Sequence, residues 1–121
     1  MKLLIVDDSL VARKTINAFL KGYSDVEVAG YATNGVEALE KFKEIEPELV
    51  TMDITMPEMD GITCLGKMLE IKPDTKVLII TALSDKETGL EAVIKGAKGY
   101  LSKPMKPEEF KEAFDKMLEK E

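Results

Sequence analysis

Short apolar runs alternate with longer amphipathic stretches along the chain. The apolar runs predict five β-strands, with the bounds Lys2–Asp7, Val26–Gly30, Glu48–Asp53, Lys76–Thr81 and Gly99–Ser102. The first, third and fourth contain continuous apolar segments, which are typical of central strands in a parallel sheet that is covered on both faces.

The amphipathic stretches predict helices between and after the strands. Gly66 and Gly89 lie inside the third and fourth of these helices. Because an internal glycine costs about 1 kcal/mol relative to alanine, we expect these two helices to be the less stable ones. The boundary signals are Gly22 after the first helix, Thr33 or Asn34 before the second, Pro47 after it, the capping box Ser84–Glu87 before the fourth and Pro107 at the start of the fifth.

This alternation predicts one α/β domain that spans residues 1–121. Right-handed crossovers give a doubly wound, five-stranded parallel sheet with five helices on its two faces. Five strands suit the flavodoxin-like order 2-1-3-4-5, in which the chain reverses direction between strands one and three. Ligands of such sheets bind at that point, beyond the carboxyl ends of the strands.

Composition narrows the function classes. The chain is 45% hydrophobic and 33% charged, as in ordinary globular proteins, and no apolar run is long enough to span a membrane. A lone Cys64 favours a reducing, cytoplasmic location. A net charge of −6 without a basic stripe argues against direct binding of nucleic acid. The absence of histidine excludes an imidazole zinc site, a histidine base and a phosphohistidine of its own.

Polar residues stand at the ends of four predicted strands: Asp7 and Asp8, Asp53, Thr81 and Lys103. In the predicted strand order all five converge on one edge of the sheet. Two carboxylates about 4 Å apart repel by roughly 4 kcal/mol at an effective dielectric constant near 20. Protonation or a hard cation relieves this repulsion, and Mg²⁺ suits oxygen ligands that are completed by phosphate. Softer metals lack histidine or nearby cysteine ligands here.

A magnesium and phosphate site predicts phosphoryl chemistry. Asp53 is then the candidate nucleophile, Lys103 neutralises a phosphate oxygen and the Thr81 hydroxyl donates a hydrogen bond to another. Taken singly, Asp8 is more typical of a helix cap, Thr81 of a strand end and Lys103 of a solvated surface. Asp53 is harder to explain structurally, because it places a charge on a core strand before a Pro/Gly turn.

Several motifs together resemble the receiver domain of response regulators in two-component signalling, the CheY-like domains. They are LLIVDDS, MDITMPEMDG, LIITAL, GAKGYLSKP and the amphipathic last helix. The resemblance implies that Asp53 accepts a phosphoryl group from the phosphohistidine of a sensor kinase or phosphotransfer protein, without the protein being an enzyme in its own right. It also implies Mg²⁺ held by Asp8, Asp53 and the backbone carbonyl of Thr55, with Asp7 acting through a water.

The same resemblance implies a conformational switch. Thr81 and Lys103 contact the phosphoryl oxygens, and Tyr100 turns inward when Thr81 moves toward the phosphate. This changes the face made by the last two strands and helices, where a downstream effector binds. The resemblance further implies a cis bond between Lys103 and Pro104. A structural explanation of Tyr100, as an edge-strand aromatic that covers the core, remains open.

Other functions compete with a stand-alone, chemotaxis-type regulator that is a monomer or weak dimer. One is a receiver cut from a longer regulator with DNA-binding or methylesterase output, because VDDSLVARK also resembles the start of methylesterase regulators. Another is a Mg²⁺-dependent aspartyl-phosphate phosphatase similar to haloacid dehalogenases, which Thr55 disfavours because a second acid is expected there. A flavin or nucleotide binder is disfavoured by the acids after the first strand.

Overall fold

A computed structural model describes residues 1–54, 61–82 and 86–119, with the backbone alone at positions 81, 82 and 86. Five strands form one parallel sheet in the order β2-β1-β3-β4-β5, which confirms the predicted fold. Their bounds are β1 Lys2–Val6, β2 Glu27–Ala32, β3 Leu49–Asp53, β4 Lys76–Ala82 and β5 Gly99–Lys103.

Five helices connect and follow the strands. They are α1 Leu10–Phe19, α2 Gly35–Ile45, α3 Gly61–Ile71, α4 Lys86–Ile94 and α5 Pro107–Leu118, and the 3-10 turn Leu20–Gly22 extends α1. The side chain of Asn34, rather than that of Thr33, caps α2 by accepting a hydrogen bond from the Glu37 amide. Ser9 caps α1 in the same way, so capping does not explain Asp8. The predicted cap at Ser84 lies outside the described residues.

The sheet is covered on both faces because its central strands alternate between two apolar clusters. Leu4, Val50, Ile79 and their neighbours pack under α2, α3 and α4. Leu3, Leu49, Leu78 and their neighbours pack under α1 and α5, together with Phe110 and Phe114. Burial on both sides holds the strands rigidly in register, so the side chains at their carboxyl ends have fixed relative positions.

The strand register brings the predicted polar residues to one edge. Val6 is paired with Met52, so Asp7 and Asp53 are the next residues along neighbouring strands. Ala82 is paired with Lys103, which places the lysine at the same end of β5. None of the helices within the described ranges is long and apolar enough to cross a bilayer.

Candidate functional site

Three carboxylates meet at the carboxyl ends of β1 and β3. Asp7, Asp8 and Asp53 each offer an oxygen, and these oxygens all lie within 4.8 Å of one another. Asp7 is 0% exposed and Asp53 is 2% exposed, whereas Asp8 lies at the surface. The cluster is therefore an acidic site with a buried floor and an opening to solvent beside Asp8.

Lys103 supplies a positive charge to the buried floor of this site. Its Nζ donates a hydrogen bond of 3.0 Å to Oδ2 of Asp53. The same ammonium lies 3.1 Å from Oδ2 of Asp7. That second contact is an ion pair without hydrogen-bond geometry, because Asp7 Oδ2 accepts no hydrogen bond from the part of the chain that the structure describes. One lysine thus faces two buried carboxylates, which leaves a net negative charge.

Asp7 is held by neighbours on three sides. Its amide donates to the Ala32 carbonyl at 2.9 Å, which continues the pairing of β1 with β2. Its Oδ1 accepts from the Ser9 amide at 2.9 Å. Its main-chain carbonyl accepts a hydrogen bond of 3.0 Å from Nη1 of Arg13. These contacts fix the carboxylate and leave Oδ2 directed at Lys103 and the site.

Sequence reasoning missed Arg13. The sequence did contain a weak signal. Arg13 falls in the first turn of α1, and that turn contains no acidic side chain. A cation at this position opposes the helix dipole, so the arginine needs a partner elsewhere. That partner is a main-chain carbonyl, and an acceptor of this kind leaves no trace in a sequence.

Burial and neighbouring charges shift the pKa values of Asp7 and Lys103. Burial raises the pKa of the Asp7 carboxyl, and the Ser9 amide and Lys103 offset this only in part. Burial acts to lower the pKa of Lys103, but its contacts with Asp53 and Asp7 outweigh that effect and raise it. Lys103 therefore stays charged. Burial disfavours the ionised form of Asp7, and a second cation nearby would stabilise that form.

The donor set fits a hard divalent cation. Three carboxylates supply oxygen ligands, and the buried Oδ2 of Asp7 lacks a hydrogen-bond donor among the described residues. A buried carboxylate oxygen without a donor depends on a nearby cation or water, and the Lys103 ammonium beside this oxygen is shared with Asp53. Lys103 alone does not balance three negative charges. These residues therefore form a candidate metal site.

The remaining predicted residues are placed as follows. Thr81 stands at the end of β4, paired with Ser102, and its hydroxyl lies outside the described part of the chain. Thr55 is also outside it. Tyr100 is half-buried on β5 and packs against the cluster under α2, α3 and α4, in line with the structural explanation of this residue. The cis bond between Lys103 and Pro104 is confirmed.

Comparisons with known proteins show which family the chain resembles. The family model of the response regulator receiver domain matches residues 3–115. Chemotaxis protein CheY of Thermotoga maritima is 42% identical over 118 residues, which are 96% of this chain and 96% of that protein. A protein-glutamate methylesterase/protein-glutamine glutaminase of Geobacter sulfurreducens is 39% identical over 106 residues, which are 88% of this chain and 28% of that protein.

Solved structures give the same result. A chain in the crystal structure of the CheX–CheY–BeF3–Mg complex from Borrelia burgdorferi is 33% identical, with a TM-score of 0.90 over 99% of this chain and 90% of that chain. The chain is therefore similar to regulators of about its own length, and also to one part of longer proteins.

Proposed function

The chain belongs to the response regulator receiver domain family, and we propose that Asp53 is the residue on which it accepts a phosphoryl group. The observation that carries this proposal is the pair formed by Asp53 and Lys103. The carboxylate is buried at the end of a core strand, and its Oδ2 is 3.0 Å from the lysine ammonium. A nucleophile beside a fixed positive charge suits attack on a phosphoryl group, whose transfer depends mainly on positioning and charge.

In the proposed reaction, a carboxylate oxygen of Asp53 bonds to the phosphorus of a phosphohistidine on a sensor kinase or phosphotransfer protein. The bond from phosphorus to the imidazole nitrogen breaks, its electron pair stays on the nitrogen, and the nitrogen takes a proton from solvent. The product is an aspartyl phosphate. Lys103 neutralises part of the negative charge that arrives with the phosphoryl group.

Hydrolysis resets the domain. A water oxygen bonds to phosphorus, the bond from phosphorus to the Asp53 oxygen breaks, and the water gives a proton to solvent. The carboxylate and inorganic phosphate are the products. Since the protein itself is the acceptor, we propose a self-catalysed switch rather than an enzyme that turns over a separate substrate.

Mg²⁺ is the cation we propose for the acidic site. Asp8 and Asp53 would bind it directly, together with the backbone carbonyl of Thr55, and Asp7 would act through a water. When bound, the ion neutralises charge on the phosphoryl oxygens as transfer proceeds. The unbalanced charge of the three carboxylates supports this assignment, as does the Mg in the similar Borrelia burgdorferi structure.

We further propose that phosphorylation acts on the face formed by β4, α4, β5 and α5, through Thr81 and Tyr100. The placement of the Tyr100 ring against Gly89 of α4 supports this, because it puts the residue on that face. The partners would be a cytoplasmic kinase or phosphotransfer protein and a downstream effector, without direct contact to nucleic acid, and the domain a monomer or weak dimer. Full-length similarity to CheY favours a stand-alone chemotaxis regulator, and the methylesterase relative supports the alternative of a receiver in a longer protein.

Intact-mass measurement tests the proposed function. The protein is incubated with phosphoramidate, with Mg²⁺ or with a chelator, beside an Asp53→Asn variant. We expect one phosphoryl adduct on the unsubstituted protein that requires Mg²⁺ and is absent from the variant. An adduct of equal yield on folded Asp53→Asn protein would contradict Asp53 as the acceptor. A folded protein that binds Mg²⁺ but forms no adduct would favour the phosphatase alternative, to be tried on phosphate esters.

A further inference from the structure

We propose that Arg13 is a positioning residue for the cation site, which it serves by holding the peptide unit between Asp7 and Asp8. The inference rests on the proposed function, because it concerns the same Mg²⁺ site. Arg13 contacts neither the ion nor the phosphoryl group in this proposal. Its guanidinium donates to the Asp7 carbonyl at 3.0 Å and thereby orients the two carboxylates on either side of that carbonyl.

The geometry of the peptide unit explains how one contact orients two acids. The Asp7 carbonyl and the Asp8 amide belong to one planar unit, so fixing the carbonyl direction also fixes where the Asp8 backbone begins. The Asp7 amide is already bound to Ala32 in the sheet. The Arg13 contact therefore anchors the first peptide unit after the sheet pairing ends.

The rest of the loop depends on the same unit. The Ser9 amide, one residue further on, donates to Oδ1 of Asp7, and the Ser9 side chain caps α1 through the Ala12 amide. Together these hydrogen bonds form a closed loop from β1 to the first turn of α1 and back. Asp7 is fully buried, so without the Arg13 guanidinium its carbonyl would lose a hydrogen-bond donor in the interior. The peptide unit would then rotate to find water, and Asp8 would move with it.

Charge alone makes the opposite prediction. Arg13 carries a positive charge near a site for a cation, so removing that charge should strengthen Mg²⁺ binding if Coulomb interaction were its only effect. Loss of positioning should weaken Mg²⁺ binding instead. The two explanations therefore differ in the sign of the change. Partners that orient metal ligands without touching the metal typically contribute a factor of about 10–100 in affinity.

We would measure the sign of the change in Mg²⁺ affinity by calorimetric titration of the whole chain with MgCl₂, without any phosphodonor. The variants are Arg13→Ala, Arg13→Met, Arg13→Lys and Lys14→Ala. Lys14 is the matched charge control, because it adjoins Arg13 and its side chain makes no hydrogen bond or ion pair within the described ranges. We expect Arg13→Ala and Arg13→Met to bind Mg²⁺ about tenfold more weakly, Arg13→Lys to recover most of the affinity, and Lys14→Ala to bind as well as the unsubstituted protein or slightly better.

Hydrogen exchange of the Ser9 amide in the metal-free protein provides a second readout. We expect faster exchange in Arg13→Met, and no change in Lys14→Ala. If Arg13→Ala does not fold, Arg13→Met, which keeps the apolar stem, decides the question. If Arg13→Met does not fold either, Arg13→Gln, which keeps a hydrogen-bond donor without the charge, decides the question: Mg²⁺ binding tighter than that of the unsubstituted protein, with unchanged Ser9 exchange, would overturn the proposal.

The possible outcomes distinguish failure of the Arg13 role from failure of the proposed Mg²⁺ site. An Asp8→Asn variant that loses Mg²⁺ binding, beside an Arg13→Met variant that binds as tightly as the unsubstituted protein or more tightly, would overturn the role of Arg13 and leave the cation site intact. Failure of the unsubstituted protein to bind Mg²⁺ would overturn both. Weaker binding in Arg13→Met with recovery in Arg13→Lys would support both.

Discussion

The ring of Tyr100 fills the space in which a side chain of Gly89 would begin. A Cβ atom built on Gly89 would lie 2.8 Å from Cδ2 of Tyr100, closer than non-bonded carbon atoms approach, and 3.1 Å from Cγ, which is unusually tight. A glycine inside α4 thus provides the space for the aromatic residue of β5. Gly66 in α3 differs, because a Cβ there would meet nothing within 4 Å.

Alanine at these two glycines should have different effects. Gly66→Ala should stabilise the protein by about 0.5–1 kcal/mol, since it adds helix propensity at no steric cost. Gly89→Ala gains the same propensity but forces the Tyr100 ring to move, so it should be neutral or destabilising. Urea unfolding of both variants measures the difference. In a Tyr100→Ala background, adding Gly89→Ala should raise stability relative to Tyr100→Ala alone, because the ring no longer fills the space. A stabilised Gly89→Ala single variant would contradict the packing.

Thr51 is predicted to be a stabilising position for valine. The side chain is 1% exposed, on β3 between Ile5 and Leu78, and its hydroxyl has no hydrogen-bond partner among the described residues. Valine keeps the shape and removes the unpaired hydroxyl, so Thr51→Val should raise the free energy of unfolding by about 1 kcal/mol. Thr15→Val is the control, because its hydroxyl donates to the Val11 carbonyl. A loss of stability in Thr51→Val would show that the hydroxyl is satisfied.

Asp7 should make stability fall as pH rises. Burial raises the pKa of its carboxyl above the ordinary 3.8, so the folded state holds the proton more tightly than the unfolded state does. Between these two values the folded protein loses stability with each increment of pH, and above them the loss is complete. Asp7→Asn should therefore melt a few degrees higher at pH 7, with a smaller gain near pH 4. Thermal unfolding without Mg²⁺ across this range checks both points, and a gain that is independent of pH would contradict the assignment.

Lys103 and Mg²⁺ should partly substitute for each other. Both neutralise the same carboxylates, so Lys103→Met should lower stability in a chelator by about 1–3 kcal/mol, because it leaves Asp53 and Asp7 without their cation. Adding Mg²⁺ should then raise the melting temperature more in this variant than in the unsubstituted protein. Lys111→Met, which removes an exposed ion pair with Asp115, is the control. An equal response to Mg²⁺ in all three proteins would show that Lys103 does not share the ion's carboxylates.

Much of the fold could be predicted from the sequence, because its central strands consist almost entirely of apolar residues. Continuous apolar residues in β1, β3 and β4 indicated burial on both faces, and parallel topology then required Asp7 and Asp53 to adjoin. The meeting of Lys103 with these acids followed from the same argument. These features depend on side-chain type and strand order, which sequence patterns record.

Other features depend on main-chain geometry over a few residues, which the patterns do not record. The choice of Ser9 rather than Asp8 as the cap of α1, and the contact from Arg13 to the Asp7 carbonyl, follow from the direction of single peptide units. Gly89 suggested a less stable helix in the sequence. The Tyr100 ring leaves no space for a larger side chain at this position, and this becomes visible only once α4 and β5 are placed side by side.

Chemical mapping of the phosphorylated residue would establish which of the three clustered acids is the acceptor. The protein is phosphorylated with phosphoramidate and Mg²⁺ and then reduced with borohydride, which converts an aspartyl phosphate into homoserine, and its peptides are sequenced by mass spectrometry. We predict homoserine at position 53, and unchanged aspartate at Asp7 and Asp8. Homoserine at position 7 or 8, with Asp53 intact, would contradict the assignment of the acceptor.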